Sequence, residues 1–336
     1  MVTASSAEQS TPRIDEGVRS LLAPARILTT LGPLIALVAA GAYFTAQTDR
    51  FLTGTNLSLI VQQSIVVGVL AIGQTLVILT AGIDLSCGTV MAVGAILMTK
   101  LATQSGVNPW LAIAIGIGAT SAFGALNGFL ITRVRLPPFI VTLGTFNIAF
   151  AITQIYSKAQ SVANPPSIET YFGNTFRINR TAITYGTVVM FALYLLMWYV
   201  LRQTSTGRHI YAVGNNAEAT RLSGINTQWL LLGVYTAAGL FYGIAALLLV
   251  ARTGVGDPNA GQNDNLNSIT AVVLGGTSLF GGRGTVIGTL VGVLIVGVFR
   301  NGLALIGVSS VYQILVTGIL VILAVTIDQI ARRKQV

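Results

Sequence analysis

Long apolar runs follow one another along almost the whole chain, each closed by a short polar or glycine-rich interval. A helix that crosses a bilayer needs roughly 20 mostly apolar residues. Runs of about that length occupy 27–46, 57–80, 109–132, 138–159, 184–201, 228–250, 285–305 and 312–330. Two further apolar stretches, 88–103 and 267–280, are shorter. Each abuts a glycine-rich break, AGIDLSCG at 81–88 and GGTSLFGGRG at 275–284. The pattern predicts an all-α polytopic membrane protein with about ten transmembrane segments, two of them broken. Non-helical backbone at membrane depth survives only where protein or water satisfies its polar groups. The breaks are therefore expected to face a protein-lined cavity or a membrane surface. Residues 1–26 are polar and read as a cytoplasmic N-terminal tail, 27–330 as one transmembrane domain, and 331–336 as a cytoplasmic C-terminal tail.

Composition supports this reading and removes others. Of 336 residues, 53% are hydrophobic and only 9% charged, against about 25% charged in soluble domains. A soluble enzyme would lack the charge to hydrate its surface, and a disordered chain would be far less apolar. The net charge is +9, yet no basic run is interleaved with aromatics, so nucleic acid is not an expected partner. The charge fits the bias of Lys and Arg toward cytoplasmic loops. With the N-terminus inside and ten alternating spans, twelve basic residues fall inside and seven outside, which places both termini in the cytoplasm. Cys87 is the single cysteine and His209 the single histidine, which excludes an intramolecular disulfide, a thiolate metal cluster and a histidine metal site.

An internal repeat is suggested by NGFLITRVRLPPFIVTLG at 127–144 and NGLALIGVSSVYQILVTG at 301–318, which match in length and at both ends. GTV also recurs, at 88–90 and 284–286, although the spacing from GTV to NG differs by about one helix. Duplicated halves around a central path are common in transporters.

Three groups of residues could carry chemistry. The stretch 202–227 is the longest polar interval expected inside, the N-terminal tail apart. It holds a short helix from Ala217 to Ser223, with Asn215 and Asn216 as capping residues, Glu218 in its first turn and Gly224 at its end. A capped, charged helix on the membrane surface suits docking of a soluble partner better than it suits a plain connection. Asp84 is the one acid flanked on both sides by strongly apolar spans, so it is either a functional group or the cap of a helix starting near Leu85. Polar residues inside the spans include Gln62, Gln63, Gln74, Asn127, Asn147, Gln154 and Asn301. Of these, Gln74, Asn127, Asn147 and Asn301, with Asp84 and Ser86, are the candidates for a translocation path or gate. A polyhydroxylated solute needs many such neutral donors and acceptors. The glycines at 275–284 lack the GxxxxGK[ST] pattern, so this chain is not expected to bind ATP. No intramembrane carboxylate pair is present to relay protons, and no nucleophile sits beside a base.

AGIDLSCGTVMAVGA, GRHIYAVGNNAEATRLSGI and SITAVVLGGTSLFGGRGTV, in that order along the chain, resemble three signature stretches of bacterial monosaccharide ABC transporter permeases, the ribose, xylose, arabinose and fructose group. RNGLALIGVSSVYQILVTGILVILAV extends the likeness, which covers about 50–330. The resemblance implies a permease subunit of an ATP-driven importer in the bacterial inner membrane. It implies a second permease copy or close paralogue, a cytoplasmic ATP-binding-cassette subunit that holds ATP and magnesium, and an extracytoplasmic sugar-binding protein. It also implies an ATPase-coupling role for Gly214, Asn216, Glu218, Ala219, Arg221 and Gly224. The chain departs from the pattern at Asn267, where many relatives have an acid, and at Cys87, where an aliphatic residue is usual. GDPNAGQNDNL at 256–266 looks somewhat like the fructose-type members. Competing readings are an ABC permease for nucleosides, an autoinducer or branched-chain amino acids, and a secondary transporter that works without ATP.

Overall fold

The computed structural model describes residues 24–178 and 181–333. Residues 1–23 and 334–336 of the two expected tails lie outside the described residues, and the rest of each tail belongs to the first and last helices. Helix α1 spans Pro24–Gln47, α2 Gly54–Leu79, α3 Cys87–Gln104, α4 Pro109–Thr132 and α5 Pro138–Ser157. A small cap follows: strand β1 (Val162–Ala163), the short helix α6 (Ser167–Thr170), and strands β2 (Thr175–Ile178) and β3 (Thr181–Thr184). Then come α7 (Tyr185–Gln203), α8 (Ser205–Asn215), α9 (Ala217–Leu222), α10 (Thr227–Thr253), β4 (Val255–Gly256), α11 (Asp264–Leu274), α12 (Val286–Leu305) and α13 (Ser310–Arg333).

Among the described residues, seven helices are long and apolar enough to cross a membrane: α2, α3, α4, α5, α7, α10 and α12. That count is below the ten segments expected, and the difference lies in three elements. In α1 and α13 the apolar stretches that qualify among the described residues are shorter, Gly32–Gln47 and Ser310–Leu323. Helix α11 has only 11 residues, a rise of roughly 16 Å against about 30 Å of hydrocarbon.

Helices α2 and α10 form the centre. Their most apolar stretches are 83% and 78% buried, against 28% for α4 and α5. Glycines stand where these helices cross. Gly73 of α2 sits on Tyr242 and Ala238 of α10, while Gly124 of α4 meets the backbone of Tyr235 and Gly239. Small residues at these crossings let backbones approach closely, which is what drives helix association where lipid is as apolar as leucine. The outer faces of α4, α5, α7 and α13 keep exposed Leu, Ile and Phe, as a lipid-facing surface requires.

The two ends of the bundle differ. One end carries the β1–β4 and β2–β3 ladders. The other carries α8 and α9, together with Arg133, whose guanidinium bonds Gln228 at 3.1 Å and lies over the Trp229 ring, 5.2 Å from its centroid.

Candidate functional site

The first break, residues 80–86, is a sealed polar hub. Asp84 and Ser86 are fully buried. The Asp84 carboxyl accepts from the Ser86 backbone N–H at 2.8 Å, the Ser86 hydroxyl at 2.6 Å and the Tyr242 hydroxyl at 3.0 Å. Asn127 donates to the Ser86 hydroxyl at 3.1 Å, and Gln74 donates to the Asp84 carbonyl and to the Cys87 sulfur. The Ile83 carbonyl accepts from Thr142 and the Leu85 carbonyl from Asn265, both at 3.2 Å. Side chains from α2, α5 and α11 thus satisfy backbone that no helix ladder can, while α4 and α10 supply donors to the side chains of Ser86 and Asp84. The following helix starts at Cys87, two residues later than the sequence suggests. Asp84 closes the turn ahead of that helix through Ser86 and does not cap its first N–H groups.

The hub gathers four of the six path candidates: Gln74, Asp84, Ser86 and Asn127. The other two stand apart. Asn147 is exposed on α5 and donates to the Leu143 carbonyl of its own helix. Asn301 is buried on α12, one residue beyond Arg300. Tyr242, Thr142 and Asn265 complete the hub and carry no signal of their own in the sequence, because a polar residue on an apolar helix does not announce its partner.

A second break lies at 257–263. Gly256 packs on Ala95 and Thr99 of α3, and Gly261 packs on Gly88 and Met91. Those contacts are seven to eight residues apart, so the chain descends roughly 11 Å along α3 without forming a helix. A Cβ on Gly88 would overlap the Gly261 carbonyl oxygen, and Gly261 itself has a φ of +73°, a conformation that glycine adopts without strain. Gln154 ties the upper part of the segment to α5 through Asn259, at 2.9 Å. The inner side of the segment opens onto a cleft of about 410 Å³ between α11, α12 and α13, lined by Asn263, Asp264, Asn267, Arg300, Gln313 and Thr317 among others.

At the other end of the bundle, Asn216 caps α9 by accepting from the Ala219 N–H at 2.9 Å. Glu218 and Arg221 form a two-pronged pair at 2.6 and 3.0 Å, with both side chains more than half exposed. The hydrogen bond from Arg221, reinforced by its charge, holds the Glu218 carboxyl below its ordinary range and raises Arg221 above its own. Gly224 ends the element with a φ of +87°. Gly214 of α8 fits against the Leu79 carbonyl at the end of α2 and against Gly282 of the glycine-rich loop. The Gly282 N–H donates to the Leu79 carbonyl at 2.9 Å, and the Tyr211 hydroxyl donates to the Gly284 carbonyl at 2.9 Å. The glycine-rich loop is thus a socket for α8.

Comparison with known proteins agrees with this architecture. Residues 56–325 match the family model described as branched-chain amino acid transport system / permease component. The fructose import permease of Rhizobium meliloti is 45% identical over 307 residues, covering 90% of this chain and 85% of that protein. The ribose import permease of Escherichia coli K12 is 39% identical over 297 residues, covering 88% and 92%. The D-allose transport system permease of the same strain is 35% identical over 298 residues, covering 88% and 90%. No solved structure gives a significant match. The chain belongs to this permease family, and it is a multi-pass membrane transport subunit.

Proposed function

We propose that the chain is the permease subunit of an ATP-driven ABC importer and forms, with a second copy or a close paralogue, the path for a monosaccharide. The observation that carries this reading is the α8–α9 pair: a polar, capped, charged element seated by Gly214 on the end of α2 and on the glycine-rich loop. Leu222, 74% exposed beside the Glu218–Arg221 pair, gives that element an apolar knob as well. An ATPase that docks on α9 pushes through α8 onto Leu79, next to the Asp84 hub, and from there onto Gly88 and Gly261 of the second break. ATP and magnesium belong to that separate subunit, and an extracytoplasmic binding protein delivers the sugar at the end that carries the β-ladders. Both termini are then cytoplasmic.

The family description names branched-chain amino acids, but the relatives that are 35–45% identical are import permeases for fructose, ribose and D-allose, which favours a sugar. The test is reconstitution of this chain in proteoliposomes with an ATP-binding-cassette subunit and a binding protein encoded beside it. ATP-dependent uptake of labelled fructose or ribose is expected. Uptake of leucine in their place would overturn the cargo, and sugar uptake without ATP would overturn the importer.

A further inference from the structure

We propose that the sugar passes this chain through the cleft between the unwound 257–263 segment, α12 and α13, and not through the Asp84 hub. The inference rests on the sugar reading above and places its path.

Irregular backbone beside a spanning helix needs protein or water to satisfy it. The first break meets that need with the buried side chains of Gln74, Thr142 and Asn265, which close over its carbonyls. The second meets it on one side only, where Gln154 and α3 hold it. Gln262 and Asn263 are exposed on the cleft side. A break supported in this way requires an aqueous space in front of it, and the cleft is that space. Its 410 Å³ falls within the roughly 300–1,000 Å³ of small-molecule sites.

The lining matches a polyhydroxylated, uncharged ligand. Asn263 brings a carboxamide that both donates and accepts, and Asn267, Gln313 and Thr317 bring acceptor oxygens; the Gln313 amide N–H donates to the Val308 carbonyl at 3.0 Å and the Thr317 hydroxyl to the Gln313 carbonyl at 2.9 Å. A sugar hydroxyl both donates and accepts, so amides can serve it in any of several orientations as it moves. Val296 and Ile314 provide apolar wall for the C–H faces of a pyranose or furanose ring. Asp264 and Arg300 are the charged members. Asn267 occupies Asp264 through a 3.1 Å hydrogen bond, and Arg252 lies near enough to interact electrostatically with both Asp264 and Arg300. Asp264 is thus held by an amide N–H and attracted by a nearby arginine, whereas Arg252 and Arg300 repel each other and Arg300 lines the cleft. The cleft reaches from Asn259, tied to the end of α5, to Val321 in the middle of α13.

The experiment uses the full complex with Asn263→Cys or Thr317→Cys, and Gln160→Cys as the control, exposed beyond the end of α5. Each is treated with a membrane-impermeant, bulky methanethiosulfonate from the binding-protein side, and sugar uptake is measured. Modification at 263 and at 317 should abolish most uptake, excess transported sugar should slow the modification, and modification at 160 should leave uptake unchanged. If 263 and 317 are modified and uptake continues at the untreated rate, the cleft is not the path. If neither reacts while the unmodified complex transports sugar, the space is not open to water and the proposal fails. If the untreated complex transports no fructose or ribose, the functional reading fails first, a result that differs from the other two.

Discussion

The two breaks in the helical bundle meet where Leu85 and Gly88 touch Asn265 and Gly261, and they solve the same problem in opposite ways. Each takes backbone out of a helix beside an apolar neighbour. The break at 80–86 surrounds its polar atoms with side chains, and its acid takes three donors from inside the protein. The break at 257–263 keeps one side uncovered, and its nearest acid, Asp264, stands at the rim of a cleft. The Asp84 carboxyl is enclosed and hydrogen-bonded, which specifies the fold, although the buried Gln74 and Asn127 amide oxygens beside it find no partner among the described residues; a polar group that faces a cavity remains available to a ligand. The comparison teaches that a buried, strongly apolar-flanked acid in a permease can be a structural pin, with the passage one loop away.

Substitutions separate the two roles by their effect on stability, largest first. Asp84→Ala leaves the Ser86 N–H, the Ser86 hydroxyl and the Tyr242 hydroxyl without their acceptor. Each such loss in a buried site is worth about 1–3 kcal/mol, so the variant should lose about 4 kcal/mol or more, read as a lowered unfolding temperature in detergent. An unchanged unfolding temperature would remove the hub from the structural role.

The second effect concerns an acid that resembles neither. Glu169 on α6 is fully buried. Among the described residues its carboxyl oxygens find no hydrogen-bond partner, and Thr99 is the polar side chain facing it. Burial pushes this carboxyl from 4.5 up to about 7, against a smaller opposing effect of the Thr99 hydroxyl. Between those values the folded chain keeps a proton that the unfolded chain releases, so stability falls as pH rises from 4.5 to about 7 and levels off above. The span is at most about 3 kcal/mol. Glu169→Gln should flatten the dependence of unfolding temperature on pH across that window, and a slope that survives the substitution would refute the assignment.

Asn263→Ala, at the open break, should shift stability by no more than about 0.5 kcal/mol while altering uptake. A large loss of stability would mean that this break is pinned like the first. Glu218→Arg, on a helix outside the bundle, should leave the unfolding temperature where it is. It should still release the ATPase on co-purification, or uncouple ATP hydrolysis from uptake. An intact complex that transports at the normal rate would reduce α9 to a connecting loop.

Much of the fold is legible in the sequence because apolar runs and their glycine-rich ends follow from physics that acts within one helix length. The runs at 57–80, 109–132, 138–159 and 285–305 reappear as α2, α4, α5 and α12 within a few residues. The α9 cap was readable for the same reason: Asn216, Glu218 and Gly224 act on their own helix. The site was harder to read. Asp84 drew attention by its charge, but its partner Tyr242 lies 158 residues away. The run PNAGQNDN at 258–265 reads as an ordinary loop until its descent beside α3 is known, since that descent depends on Gly88 and Gly256, which are unremarkable among 37 glycines. Glu169 gave no signal at all, because nothing in its neighbours shows that a short cap will bury it.

The stack of Arg133 on Trp229 has a practical consequence for watching the machine run. Trp229 begins α10 directly after α9, at the root of the proposed docking element, and the chain has only two other tryptophans, Trp110 and Trp198. Replacing those two by phenylalanine leaves a single indole emitter under a guanidinium. Its emission wavelength and quenching should report, in real time and without any attached dye, whether the arginine stays on the ring as the ATPase cycles.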